Sequence, residues 1–228
     1  MIDLLTPNGL KVKVPETETE DNTPRFNFSN DMENAINYYE KNGYVIFSSL
    51  ISRETCNQLR SLWGEKIKPY KGTIYRQTTA KVENNLFNER NWIMNPILNI
   101  QSLNPKLFNS FREFVEKEVF SNINICNVLK SILSEKPKIV QSMYFEGNSA
   151  TWEHQDSYYL DSEKIGTMTA GWLALEEIKA DAGRFFICPE SHKIDLGRQN
   201  INNNIADNHD NYIKQVVSII KSKNMTIK

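Results

Sequence analysis

The reading of the chain turns on Trp152-Glu153-His154-Gln155-Asp156. In an extended strand alternate side chains project to one face. A strand over 152–159 therefore places Trp152, His154, Asp156 and Tyr158 together. An imidazole and a carboxylate two residues apart are two of the three protein ligands in a 2-His-1-carboxylate facial triad, which leaves the remaining positions of an Fe(II) ion open. Trp152 and Tyr158 on the same face supply an apolar wall of the kind that restricts water and tunes a metal. A His-x-Asp spacing is common by chance, so its surroundings decide its weight.

Downstream of Pro137 the apolar pattern changes from helical to strand-like. Strands are expected over 138–145, 152–159, 166–176 and 184–188, with Gly147 in a turn and Pro189 ending the last. Upstream, the pattern is mainly helical. Met32, Ala35, Ile36 and Tyr39 recur at helix spacing behind Asn30 and Asp31 as candidate caps, and Gly43 is placed to stop the helix. A short strand is expected at 44–47. A second helix starts at Ser52 and carries Cys56, Leu59, Leu62 and Trp63 on one face. A strand is expected at 72–76 and a loop with apolar anchors at 92–96. Two further helices carry Phe108, Phe111, Phe114 and Val115, then Val128, Leu129, Ile132 and Leu133. A last helix is expected over 208–223, with Ile213, Val216, Val217 and Ile220 in its stripe, and Met225-Thr226-Ile227-Lys228 reads as a strand start.

The domain organisation read from this is an extended polar leader over 1–30, with Pro7, Pro15, Pro24 and an acidic run at 16–22, then one domain over 31–228. That domain has a helical part, 31–137, and a β-helix part, 138–228. The 228 residues suffice to bury a core without a disulfide or structural metal. A net charge of −1 with scattered Lys and Arg carries no footprint for nucleic acid. Cys56, Cys126 and Cys188 are odd in number and lack zinc spacing, which reads as reduced thiols. No apolar run reaches membrane length, and Met1-Ile2-Asp3-Leu4-Leu5 is too short and too acidic for a signal peptide, so a cytoplasmic protein with no membrane partner is expected. Oligomeric state has no signature in the sequence.

Five segments in order carry a resemblance: Asn42-Gly43-Tyr44-Val45-Ile46, Gln141-Ser142-Met143-Tyr144-Phe145, His154-Gln155-Asp156, Gly171-Trp172-Leu173-Ala174-Leu175, and Ala182-Gly183-Arg184-Phe185-Phe186-Ile187-Cys188-Pro189-Glu190-Ser191-His192-Lys193. Together they resemble the phytanoyl-CoA dioxygenase family of Fe(II)- and 2-oxoglutarate-dependent oxygenases, with Glu190 where that family usually has Gly. The resemblance implies a mainly β fold with packed helices, a double-stranded β-helix (jelly roll, cupin-like). It implies Fe(II) and the cosubstrate 2-oxoglutarate, and hydroxylation of a small-molecule substrate with release of succinate and CO2. Carried over by position, His154 and Asp156 are the iron ligands. Trp172, Gln141 and Met143 line the cosubstrate pocket, and Tyr158 adds to its wall. Asp156 argues against the halogenating relatives, in which a small residue makes room for halide.

The resemblance fails at the end. The family's second iron histidine and its cosubstrate arginine follow the Pro-x-Ser-His segment. Here only His192 and His209 follow His154, and no arginine follows Arg198. His192 belongs to a turn that is structural in the family. The chain is therefore expected to lack the C-terminal strands of the jelly roll, being either a fragment or an inactive short form. Two alternatives stand beside the oxygenase: a non-catalytic jelly-roll binding module, and a cupin-type metal site built from His154, Asp156 and His192. Substrate selectivity is expected in the loops 70–105 and 195–210, whose composition names no substrate.

Overall fold

The chain is described from a computed structural model covering residues 1–149, 151–164, 166–194, 196 and 205–228, with only the backbone described at 205–207. Part of the expected selectivity loop, 197–204, lies outside the described residues. In chain order the elements are β1 (Ile2–Leu5), β2 (Lys11–Val14), α1 (Met32–Asn42), α2 (Arg53–Leu62), β3 (Ile74–Tyr75), β4 (Val82–Glu83), β5 (Ile97–Leu98), α3 (Pro105–Val115), α4 (Ile123–Leu133), β6 (Met143–Tyr144) and α5 (Ile205–Ser222). The chain divides into two compact units. The first comprises Met1–Ser48, Ala150–Trp172 and Glu177–Lys228, and the second Ser49–Ser149 and Leu173–Glu176.

The helices follow the sequence closely because their ends are written into it. In α2 the Ser52 hydroxyl accepts from Thr55 N–H at 3.0 Å, satisfying one of the orphan donors of the first turn. Asn104 and Asn122 do the same for α3 and α4, and Pro105 opens α3 where no amide donor is needed. Helix α1 ends on Gly43 at φ 82°, whose N–H returns to Tyr39 O at 2.7 Å.

In the second unit the apolar faces of α2 and α3 close over a core of Leu59, Trp63, Ile67, Phe108, Phe111 and Val115. Tyr144 of β6 stacks on Trp63 with ring centres 3.9 Å apart. Arg76 of the same unit is fully buried. Its guanidinium donates to Asn95 O at 3.0 Å and to Asn85 Oδ1 at 2.5 Å, while Asn85 Nδ2 donates to Ile67 O at 2.9 Å. The buried cation is thus held by carbonyl groups, as a buried charge must be.

In the first unit the segment 1–30 contains a hairpin that the leader reading did not separate. β1 and β2 pair antiparallel, Ile2 opposite Val14 and Leu5 opposite Lys11, around a turn in which Gly9 N–H donates to Thr6 O at 2.8 Å. The signal was present: a Pro-Asn-Gly turn between two β-prone runs. Leu10 of this hairpin packs with Leu196 and with Tyr212, Val216 and Ile220 of α5.

The expected β-rich second half is the main correction. The described residues form helices and three two-stranded sheets, and no barrel closes among them. Of the strand expected over 138–145 only Met143–Tyr144 forms, paired with Ile97–Leu98. The runs 152–159, 166–176 and 184–188 form no strand. Their alternation is real, but a strand needs a ladder partner for its backbone, and the 152–159 run bonds within itself instead. Tyr158 N–H turns back to Gln155 O at 3.0 Å and Tyr159 N–H to Asp156 O at 2.9 Å. The strand expected at 44–47 reduces to a single parallel bridge, Phe26 to Phe47. The start of a strand expected at 225–228 is met in part, since Lys228 exchanges two backbone hydrogen bonds of 2.8 Å with Ile187.

Candidate metal site

His154 and Asp156 lie in the first unit, on the loop leading into a 3₁₀ turn, Asp156–Tyr158. They were expected to converge because a pleated strand would aim them alike. They do converge, but through the turn: His154 Nε2 is 3.1 Å from Asp156 Oδ1. The other ring nitrogen, Nδ1, is 2.8 Å from the Trp152 carbonyl oxygen. A carbonyl can only accept, so Nδ1 carries a proton. The carboxylate also accepts, so it favours the protonated ring, whose Nε2 proton would have to leave before that nitrogen bound a metal. Burial opposes that charge, but the hydrogen bonds to Asp156 and Trp152 and the nearby Asp156 and Glu153 charges outweigh it, and the His154 pKa lies above the ordinary value. The hydrogen bond from His154 holds the Asp156 carboxyl below its ordinary value against the opposing effect of burial.

The loop is anchored on three sides. Gln155 Nε2 donates to Ser191 O and Ile194 O, both at 2.8 Å. Gln155 N–H donates to the Tyr212 hydroxyl at 2.7 Å. Glu153 is buried and accepts through Oε2 from Asn8 Nδ2 in the hairpin turn. Around the pair stands an aromatic group. The Tyr159 ring is 5.4 Å from the His154 ring, and its hydroxyl is 2.7 Å from His209 Nε2. Trp152 meets the His209 ring edge-on at 5.3 Å, and Tyr158 stacks on Tyr212 at 3.6 Å.

The donor chemistry fits two ligands of a metal. With Nδ1–H fixed on a backbone carbonyl, Nε2 is the nitrogen left to bind, the arrangement that metal-ligating histidines usually show. Asp156 Oδ1 already faces it. The Asp156 side chain is 60% exposed and that of His154 26% exposed, so the pair lies on an open loop rather than inside a barrel. Among the described residues no group of three His, Cys, Asp or Glu side chains is arranged to hold a metal ion. His192, the third ligand of the cupin-type alternative, is used elsewhere: its Nε2–H donates to Glu40 O at 3.1 Å at the end of α1.

The remaining expected site residues fall in both units. Trp172 is half exposed and its ring lies 5.9 Å from that of Phe185. Gln141 and Met143 belong to the second unit, and Met143 pairs with Leu98 in β6. The sequence reading did not place Tyr159, His209 or Tyr212 around the pair. A signal existed for the last two, because 209 and 212 are three apart on a helix and share a face.

Residues 39–220 match the family model described as Phytanoyl-CoA dioxygenase (PhyH). The chain belongs to the phytanoyl-CoA dioxygenase family. That family has a cupin-like fold and sits in the Fe(II)/2-oxoglutarate-dependent superfamily. This phytanoyl-CoA dioxygenase family chain is 35% identical over 82 residues to the Phytanoyl-CoA dioxygenase domain-containing protein 1 homolog of Caenorhabditis elegans, a match covering 34% of this chain and 28% of that relative. It is 23% identical over 197 residues to Phytanoyl-CoA dioxygenase domain-containing protein 1 of Danio rerio, covering 72% of this chain and 66% of the relative. The chain thus spans less than two thirds of the length of each of these relatives. No solved structure matches it. Among the described residues no helix is long and apolar enough to cross a membrane.

Proposed function

We propose that this chain is an Fe(II)- and 2-oxoglutarate-dependent oxygenase of its cupin-like family that hydroxylates a small-molecule substrate, releasing succinate and CO2, in the cytoplasm. The observation that carries the reading is the convergence of His154 Nε2 and Asp156 Oδ1 at 3.1 Å, with Nδ1 pinned to Trp152 O, inside the span that matches the family. In this role His154 and Asp156 hold Fe(II), which supplies the redox chemistry when bound. The Trp152 carbonyl keeps the His154 ring in the tautomer that offers Nε2. Asp156 stays ionised to match the cation, and Tyr159 shields one side of His154. Trp172, Gln141 and Met143 are assigned to cosubstrate binding by their positions in the family pattern.

The test is succinate release. The full chain with Fe(II), 2-oxoglutarate and O2 should form succinate above a buffer control, and His154→Ala and Asp156→Ala should each abolish it. Absence of both succinate and 2-oxoglutarate binding would sink the proposal. A second reading, a non-catalytic binding module of the same family, is favoured by the presence of only two converging donors among the described residues. It predicts a ligand-induced rise in melting temperature without succinate and without dependence on His154.

A further inference from the structure

Helix α5 reaches the metal pair through one hydroxyl. Tyr212 is buried on the α5 face that also carries Val216 and Ile220 into the core. Its Oη accepts from Gln155 N–H at 2.7 Å and donates to Gln155 O at 3.3 Å, so it holds both backbone groups of the residue lying between His154 and Asp156. The ring beneath that hydroxyl cannot slide, because it stacks on Tyr158 with centres 3.6 Å apart and planes within 4° of parallel. Burial pushes the Tyr212 phenol up to about 12, so the hydroxyl keeps the proton it donates. One helical turn earlier, His209 Nε2 lies 2.7 Å from the Tyr159 hydroxyl, and the Tyr159 ring packs on His154. A bend at Gln155 with no ladder partner would leave the two flanking side chains free to diverge. The sheet that would have fixed them is not there in this loop, and α5 takes its place.

We infer that Tyr212 is a positioning residue for the metal pair: its hydroxyl fixes the Gln155 backbone so that His154 and Asp156 converge, with His209 steadying the same loop through Tyr159. The inference rests on the oxygenase reading only for the identity of the ion. Tyr212 touches neither ligand atom and acts through the peptide. Loss of such a support around a metal site typically weakens metal affinity about 10- to 100-fold.

The experiment compares the full-length protein with Tyr212→Phe, which keeps the stacked ring and removes only the hydroxyl, and with His154→Ala. Three quantities are read: exchange of the Gln155 amide, the downfield imidazole N–H resonances of His154, and Co(II) affinity with its visible absorption band. In Tyr212→Phe the far-UV circular dichroism stays native and the Gln155 amide exchanges faster by about five- to tenfold, the loss of one hydrogen bond. The His154 N–H resonances broaden or disappear, and Co(II) binds at least about tenfold more weakly with an altered band. Unchanged His154 resonances together with an unchanged Co(II) band in Tyr212→Phe would overturn the proposal, because the hydroxyl would then anchor the loop without setting the pair. If the native protein binds Co(II) no better than His154→Ala, the oxygenase reading fails. The imidazole resonances then decide the positioning role alone: their loss in Tyr212→Phe supports it and their persistence refutes it. A Tyr212→Phe chain without native circular dichroism moves the comparison to His209→Gln, in which loosening of the His154 resonances supports the role and their retention refutes it.

Discussion

Replacing Gly43 by alanine tests how the first unit is closed. Gly43 sits at φ 82° in the left-handed region at the end of α1. A Cβ added there would lie 2.7 Å from Cγ of His192 and closer still to its Nδ1. The imidazole is in place because Nε2–H donates to Glu40 O at 3.1 Å, and the neighbouring Glu190 N–H donates to Asn42 O at 2.8 Å. These bonds satisfy carbonyls that a helix C-terminus leaves without partners. The left-handed backbone costs an alanine about 1–2 kcal/mol. Displacing the ring forfeits one hydrogen bond, about 0.5–1.5 kcal/mol. The two together give about 2–3 kcal/mol. At about 2–4 °C per kcal/mol for a chain of this length, the melting temperature should fall by about 4–12 °C. Thermal and urea denaturation of Gly43→Ala, His192→Ala and the double variant separate the two parts. In the His192→Ala background the glycine substitution should cost only the backbone share, so the double variant falls short of additivity by about 1 kcal/mol. Strict additivity would show that the ring and Gly43 do not meet. A Gly43→Ala cost below about 0.5 kcal/mol would refute the left-handed assignment itself.

The His154–Asp156 pair should make stability depend on pH on both sides. His154, raised in the folded chain above the ordinary 6.5, contributes fully below that value and loses its contribution as pH rises through the folded pKa. Asp156, lowered below the ordinary 3.8, contributes fully above that value and loses it as pH falls through its folded pKa. The pair therefore helps most between those two ordinary values, and Asp156→Asn should lower the His154 pKa seen by NMR; an unmoved titration would contradict the contact. In the second unit, Arg76→Lys keeps the buried charge but cannot reach both Asn95 O and Asn85 Oδ1, so urea denaturation should show a loss of about 2–4 kcal/mol. A loss under about 1 kcal/mol would mean the guanidinium fork is not what holds that core.

The parts of the structure set by local chemistry could be read from the sequence. Ser52, Asn104 with Pro105, Asn122 and Gly43 mark helix ends because each acts on backbone groups within a few residues of itself. The pair His154 and Asp156 was legible for the same reason, a two-residue spacing, and the family followed from five short segments in order. What could not be read was partnership. The alternating runs over 152–159, 166–176 and 184–188 look like strands, yet whether such a run joins a ladder depends on a distant segment lying alongside it. Met143–Tyr144 found one in Ile97–Leu98. The 152–159 run instead turned back on itself beneath α5, where Tyr212, more than fifty residues on, bonds both backbone groups of Gln155. The sequence by itself determined which two side chains would meet at the candidate metal site. Only the tertiary structure decided that a turn clamped by a helix, rather than a pleated strand, brings them there, because a hydroxyl that reaches the Gln155 peptide from α5 leaves no trace in local periodicity.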